Sequence, residues 1–191
     1  GWQGDATGTA NPLILNLTSD RNISARFSQT TSIPIVQNGD RCGAGAVTLG
    51  ATGATGTETY AWYTQAVGRN PIPGATNSTF VTPSIITTTS YFVLIKSVSN
   101  ESPRMEVVAT INPVPAQPTI TVIGETSLCP EKQESVTLVA TSGLAEYAWS
   151  NSETTEQIVV TSAGTYSVTV TNTQGCDSEV STAVTIALES C

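Results

Sequence analysis

Val136-Thr-Leu-Val139, Tyr147-Ala-Trp149 and Tyr166-Ser-Val-Thr-Val170 decide how this chain folds. Each alternates apolar and polar residues, the period-2 signature of a strand with one buried face. The segments between them are rich in Ser, Gly, Asn and Thr, which turn the chain. Related pieces occur earlier as Val47-Thr-Leu49, Tyr60-Ala-Trp62 and Tyr91-Phe-Val-Leu-Ile95, the first two offset by about 88 residues. Self-similarity on that scale points to two copies of one unit of about 80 residues.

Outward from these anchors, Val107–Ile111, Ile120–Val122 and Ile158–Val160 read as further short strands. No stretch shows the 3.6-residue periodicity of an amphipathic helix. Strands recurring every 8–12 residues are the pattern of a sandwich. In an immunoglobulin-like sandwich a Trp on the third strand fills the space between the sheets, and Trp62 and Trp149 fit that position. Tyr166, entered through Gly164-Thr165, resembles a tyrosine corner, with Tyr91 as its counterpart. Trp62, Trp149, Tyr91 and Tyr166 are therefore expected in the core. The expected fold is all-β: two tandem immunoglobulin-like β-sandwiches, residues 31–115 and 116–191, after a short β-rich fragment, residues 1–30.

Composition narrows the chemistry. The 191 residues are 39% hydrophobic and only 12% charged, with no His and a net charge of −8. Without His there is no Ser-His-Asp or Cys-His nucleophile system and no His-ligated metal. Seven basic residues make a phosphate-binding surface, and so a nucleic-acid partner, improbable. The charge is uneven. Residues 31–115 hold four acids (Asp40, Glu58, Glu101, Glu106) and four bases (Arg41, Arg69, Lys96, Arg104), whereas 116–191 holds nine acids against Lys132 alone. This shift coincides with Pro113-Val-Pro-Ala-Gln-Pro118, which marks the boundary. The acidic half reads as a solvated surface, since it carries no calcium-loop pattern and no other metal-ligand pattern. No apolar run approaches the roughly 20 residues of a membrane span, and no cofactor is implied. The start, Gly1-Trp-Gln3 without Met, reads as a piece cut from a longer precursor.

At this point the residues carry a family resemblance. Cys129, Val136-Thr-Leu, Tyr147-Ala-Trp-Ser-Asn, Ser162-Ala-Gly-Thr-Tyr-Ser-Val-Thr-Val-Thr-Asn and Gln174-Gly-Cys176 resemble the immunoglobulin-like repeats of secreted Bacteroidetes proteins. Residues 42–111 resemble a sister type, through Cys42-Gly-Ala-Gly-Ala-Val-Thr-Leu, Trp62-Tyr63, Pro71-Ile-Pro-Gly, Thr89-Ser-Tyr91 and Ser102-Pro-Arg. Residues 1–28 resemble the end of a divergent Listeria–Bacteroides (internalin-type) repeat, through Gly1-Trp2-x-Gly4-Asp5, Gly8-x-x-Asn11-Pro12-Leu13 and Asn22-Ile-Ser-Ala25-x-Phe27. The resemblance implies non-catalytic modules of long secreted or cell-surface proteins, whose partners are the adjacent modules of the same polypeptide.

Four cysteines in an exported protein favour disulfides, and three pairings exist. The resemblance implies Cys129–Cys176, one Cys before the Val-Thr-Leu strand and one after the sixth. In a strict seven-strand topology those two positions lie at opposite poles, so the bridge requires Cys129 to sit further back along the first strand, or one strand fewer between Trp149 and Tyr166. In the first copy Ser99-Asn-Glu-Ser102 stands where the second Cys belongs, which orphans Cys42. Cys191 would have to span two sandwiches to reach it.

The chain is not expected to be an enzyme. Glu153 and Glu156 are close in sequence, yet Ser150–Glu156 reads as an exposed turn without an aromatic cleft. A Lys–Asn isopeptide crosslink would need Lys96 or Lys132 in a core, and Lys96 falls opposite Tyr91, Val93 and Ile95. The expected function is a spacer or scaffold of a secreted or surface bacterial protein. The alternative is a carbohydrate-binding module, with polysaccharide as partner. If Trp62 points inward, Tyr63 points outward, and the same logic puts Phe92 outside Tyr91. Tyr63 and Phe92, with Trp2 as a third candidate, would then offer aromatic faces on which sugars stack.

Overall fold

The computed structural model describes residues 2–4, 19–20, 22–25, 31–132 and 134–190. In the opening segment β1 (Trp2–Gly4) pairs antiparallel with β2 (Ile23–Ala25), Trp2 opposite Ala25. Gly1, Asp5, residues 8–13 and Phe27, which complete the motifs attributed to an internalin-type repeat, lie outside the described residues, as does Cys191.

The rest is β-structure without an α-helix among the described residues. The next strands are β3 (Ile35–Gln37), β4 (Gly39–Cys42), β5 (Thr48–Thr52), β6 (Thr59–Tyr63), β7 (Thr79–Val81), β8 (Thr89–Lys96) and β9 (Met105–Asn112). They form two sheets, in the orders β3-β5-β7 and β4-β9-β8-β6. After the proline-rich junction come β10 (Ile120–Ile123), β11 (Ser127–Leu128), β12 (Val136–Ala140), β13 (Glu146–Trp149), β14 (Gln157–Val160), β15 (Gly164–Tyr166), β16 (Val168–Thr171) and β17 (Val184–Leu188). Their order repeats the first set: β10-β12-β14 mirrors β3-β5-β7, and β11-β17-β15 with β16-β13 mirrors β4-β9-β8-β6. Only Ser167 separates β15 from β16. In both sets a short strand joins the last one in parallel, β4 on β9 and β11 on β17. Only one strand, β14, lies between the strand of Trp149 and that of Tyr166. The fold is the immunoglobulin-like β-sandwich.

The described residues divide into two compact units, Gly1–Gln37 with Leu49–Phe80 and Ser90–Val107, and Asn38–Thr48 with Val81–Thr89 and Val108–Cys191. In the first, alternation along the strands buries Leu49, Ala51, Trp62, Tyr91, Val93, Ile95 and Val107. Trp62 is fully buried; its ring stacks on Phe80 at 5.4 Å between centroids, and Phe80 meets Tyr91 at 5.3 Å. The Trp62 indole N–H donates to the Asn77 carbonyl (2.9 Å), so its one polar atom is satisfied. Burial raises the pKa of Tyr91 above its ordinary value.

In the second unit Leu128, Val136, Leu138, Ile158, Val160, Val168, Val170 and Ile186 form one core with Tyr147, Trp149 and Tyr166. The Trp149 indole donates to the Thr155 carbonyl (2.8 Å). The Tyr166 hydroxyl donates to the Ser162 carbonyl (3.0 Å), four residues back along the chain, as a tyrosine corner does. Ser150–Glu156 is a turn, with Ser152 in the left-handed region (φ 72°). The Glu156 carboxylate accepts from the Tyr147 hydroxyl (3.2 Å).

Each sandwich closes its sixth strand with buried serines. The backbone N–H of Ile95 donates to Ser102 Oγ (3.0 Å), while the N–H of Ser102 returns to the Ile95 carbonyl (2.9 Å). Ser181 does the same with Val168, and Ser178 with Val170. A hydroxyl thus takes the place of the missing ladder carbonyl and satisfies the backbone N–H groups of Ile95, Val168 and Val170.

Candidate functional site

Among the described residues, two places gather chemistry-bearing side chains: the outer face of β6 with the loop that follows it, and the junction around Cys42.

On β6 and β8 the register sets Trp62 opposite Val93 and Tyr63 opposite Phe92. Tyr63 and Phe92 do therefore meet as cross-strand neighbours, away from the Trp62 core. They are not an exposed platform. Tyr63 is only 5% exposed, Phe92 is half-buried, and both pack with Ala61 and Leu94 in a second apolar cluster. The Arg104 guanidinium lies 3.4 Å from the centre of the Tyr63 ring, so a sugar cannot take that ring as a stacking surface. The side chain of Trp2 lies outside the described residues. The expectation of an open aromatic face on the first sandwich is corrected accordingly.

Arg104 also shapes the loop. Its two terminal nitrogens donate to the carbonyls of Gln65 (2.9 Å) and Gly68. Gly68 has φ +122°, a left-handed conformation that glycine adopts without strain. The loop and Arg104 enclose a cavity of about 270 Å³, whose lining includes Tyr63, Thr64, Gln65, Arg69, Asn70 and Arg104. Sequence reasoning placed the aromatic at this site and missed both arginines. The signal available to it was that Arg69 and Arg104 belong to a neutral half of an otherwise acidic chain.

At the junction, Cys176 is bonded to Cys42, with Cα atoms 5.5 Å apart. The pairing of Cys129 with Cys176 is thereby overturned, and Cys42 is not an orphan. The reason is polarity along the strands. Leu128, next to Cys129, pairs with Leu188, and Gly164 pairs with Ile186. Cys176 follows Thr171, at the other end of the β15–β16 line. At about 3.3 Å per residue those ends are roughly 20 Å apart, far beyond disulfide reach, even with one strand fewer. Cys129 is itself disulfide-bonded.

The local sequence delivers Cys176 to its partner. Asn172 Oδ1 accepts from the N–H groups of Gln174 and Cys176 (3.0 Å each), and Gly175 (φ +76°) completes the turn. Asn172 Nδ2 donates to the Pro113 carbonyl (2.7 Å), and Gln117 Nε2 donates to the Val180 carbonyl (2.6 Å). On the other side Cys42 pairs with Asn112, and the N–H of Gly43 donates to the Asn112 carbonyl (2.9 Å). A Cβ on Gly43 would stand 3.2 Å from Val114 Cγ2, so the junction packs closely there.

These features define a tandem immunoglobulin-like protein with a cross-linked junction. Residues 31–113 match the family model described as "Ig-like domain CHU_C associated", so this segment is an Ig-like module. Among solved structures, a chain in the crystal structure of a mouse coronavirus receptor-binding domain complexed with its murine receptor is similar at 14% identity. The match covers 82% of this chain and all of that one, with a TM-score of 0.51. Murine CEACAM1b matches at 16% identity over 84% of this chain and all of its own, TM-score 0.43. The fibronectin(III)-like modules of Clostridium thermocellum CbhA match at 11% identity over 83% of this chain and 95% of theirs, TM-score 0.46. No curated protein matches the sequence. The first of these likenesses speaks to fold alone. No helix among the described residues is long and apolar enough to cross a membrane.

Proposed function

We propose that this chain is a non-catalytic spacer in a secreted or cell-surface multidomain bacterial protein of the Bacteroidetes type. It consists of two immunoglobulin-like modules, residues 31–115 and 116–191, and its partners are the neighbouring modules of the same polypeptide. The observation that carries the reading is the Cys42–Cys176 bridge. It ties a residue inside the Ig-like segment to one beyond the proline junction, and such bonds persist in oxidising compartments. The second compact unit takes in residues 38–48, 81–89 and 108–113 together with everything after the junction. A spacer calls for a stiff junction: proline limits a hinge, and a covalent tie beside it restricts it further.

The test is backbone ¹⁵N relaxation on the oxidised chain and on Cys42→Ala/Cys176→Ala. The oxidised chain is expected to tumble with one correlation time, and the variant with two shorter ones. Independent tumbling of the two modules in the oxidised protein would overturn the spacer.

A further inference from the structure

The cavity between Arg104 and the loop 64–70 is lined by two arginines and by no acidic residue. Within residues 31–115 the other charged side chains each have a hydrogen-bond or ion-pair partner, and one pair, Lys96–Glu101, is neutralised. Glu101 pairs with Lys96 (3.4 Å). Glu58 accepts from Thr55 and Ser32, Glu106 from Ser90, and Asp40 from Asn112. Arg41 donates to the Ala46 carbonyl. Arg104 is held by two carbonyls and an aromatic ring, none of which cancels its charge. Arg69 has no hydrogen bond or ion pair among the described residues. None of the residues lining the cavity is acidic. Arg69 and Arg104 thus line one concavity that no acidic residue lines, in a chain whose net charge is −8.

From this we infer that the cavity binds the carboxylate or sulfate group of an anionic sugar unit. Guanidinium groups are weakly hydrated planar forks that match such oxyanions bidentately. Arg104 is already positioned by its loop carbonyls, so little ordering cost remains at that side. At about 270 Å³ the cavity suits a single sugar-sized group rather than a drug-sized ligand. The Tyr63 ring is taken by Arg104, so recognition runs through polar contacts and not through stacking. Thr64, Gln65 and Asn70 add hydroxyl and amide groups able both to donate to and to accept from sugar hydroxyls. An extended acidic peptide fits less well, because the free edge of β6 is already used. Ile72 N–H donates to the Trp62 carbonyl (2.7 Å) and Tyr60 N–H to the Thr76 carbonyl (3.3 Å), so the segment 72–76 already lies along that edge where a strand would add. This inference stands apart from the spacer reading, since a rigid junction neither requires nor excludes it.

The experiment is an NMR titration of the full chain with trigalacturonate, a sulfated galactan trisaccharide, neutral cellotriose and tetraglutamate. One or both anionic sugars are expected to shift the amides of Thr64–Asn70, with cellotriose without effect. Arg69→Ala is expected to weaken binding about tenfold, with Arg69→Lys intermediate because it keeps the charge and loses the fork. Raising salt from about 50 to about 500 mM is expected to weaken binding too. Arg69 is exposed, so its substitution leaves the fold intact. The proposal is overturned if neither anionic sugar binds, if cellotriose binds as well as they do, or if Arg69→Ala binds like the parent. Tetraglutamate binding as tightly as the anionic sugars would assign the cavity to acidic peptides and overturn it too.

Discussion

Cys42 and Cys176 lie 134 positions apart in sequence and are covalently joined, their Cα atoms 5.5 Å apart. The first sits at the end of β4, beside the last residue of β9; the second follows the turn Asn172–Gly175. Both positions therefore flank the proline junction, one from each side. Closing so long a loop removes chain entropy equivalent to up to about 5 kcal/mol from the unfolded state. The bond's structural consequence is local: it fastens a junction already tied by Asn172, which donates to the Pro113 carbonyl, and by Gln117, which donates to the Val180 carbonyl.

The first prediction is the connectivity. Digestion with trypsin and Glu-C under non-reducing conditions separates all four cysteines, since cuts at Arg41, Glu58, Glu125, Glu131, Glu156, Glu179 and Glu189 isolate each one. Mass spectrometry is expected to find the Cys42 peptide linked to the Cys176 peptide. Linkage of Cys176 to the Cys129 peptide would contradict the structure.

A second prediction concerns the buried serines. Ser102→Ala, Ser178→Ala and Ser181→Ala each leave a backbone N–H in the interior without its hydroxyl acceptor. Each is expected to cost about 1–3 kcal/mol, read from urea denaturation midpoints. Ser152→Gly is the contrasting control. Ser152 is exposed at φ 72°, so glycine there is expected to be neutral or to stabilise by up to about 1 kcal/mol. Serine costs no larger than the control would show that the hydroxyls are dispensable.

The repeat, the strand alternation and the two Trp were readable because each is a local pattern. Trp62 and Trp149 sit between sheets by the same period-2 logic that marks their strands. The same logic put Tyr63 on the opposite face, beside Phe92, and the register agrees. Whether that face stays open is a tertiary matter, decided by Arg104 arriving from far along the chain, and no local pattern announces it. The cysteine pairing failed for a related reason. Spacing along the sequence does not say at which pole of a sandwich a loop emerges, and the parallel strand β11 carries Cys129 to the wrong one. Ser102, Ser178 and Ser181 read as ordinary turn residues, because their acceptor role exists only once the sixth strand has folded against them.

Stability is expected to vary little from pH 6 up to about pH 10 and to fall above it. The chain has no His, and the three described cysteines are disulfide-bonded, so little titrates near neutrality. Tyr91 has its pKa raised by burial, and Tyr147 has it raised by burial and by the Glu156 carboxylate. A phenol whose folded pKa exceeds its unfolded value of about 10 binds more protons when folded. Its stabilising contribution is complete below about pH 10 and is lost as pH rises through the folded value. Urea midpoints measured from pH 6 to 11.5 are expected to be flat and then to decline, with a shallower decline in Tyr91→Phe. An unchanged alkaline limb in that variant would remove Tyr91 from the account.

Arg104→Lys separates positioning from charge at the outer face of β6. The lysine keeps a cation near the Tyr63 ring but loses the fork that grips the carbonyls of Gln65 and Gly68 together. The cost is expected to be about 1–2 kcal/mol, from the lost hydrogen bonds and a weaker cation–π contact. It should be confined to the loop. Hydrogen–deuterium exchange is expected to speed up across residues 64–70, while Trp62, Val93 and Ile95, fully buried behind them, keep their protection. Uniform loss of protection across the first sandwich would show instead that Arg104 supports the whole module, and unchanged exchange in the loop would show that its carbonyl contacts hold nothing in place.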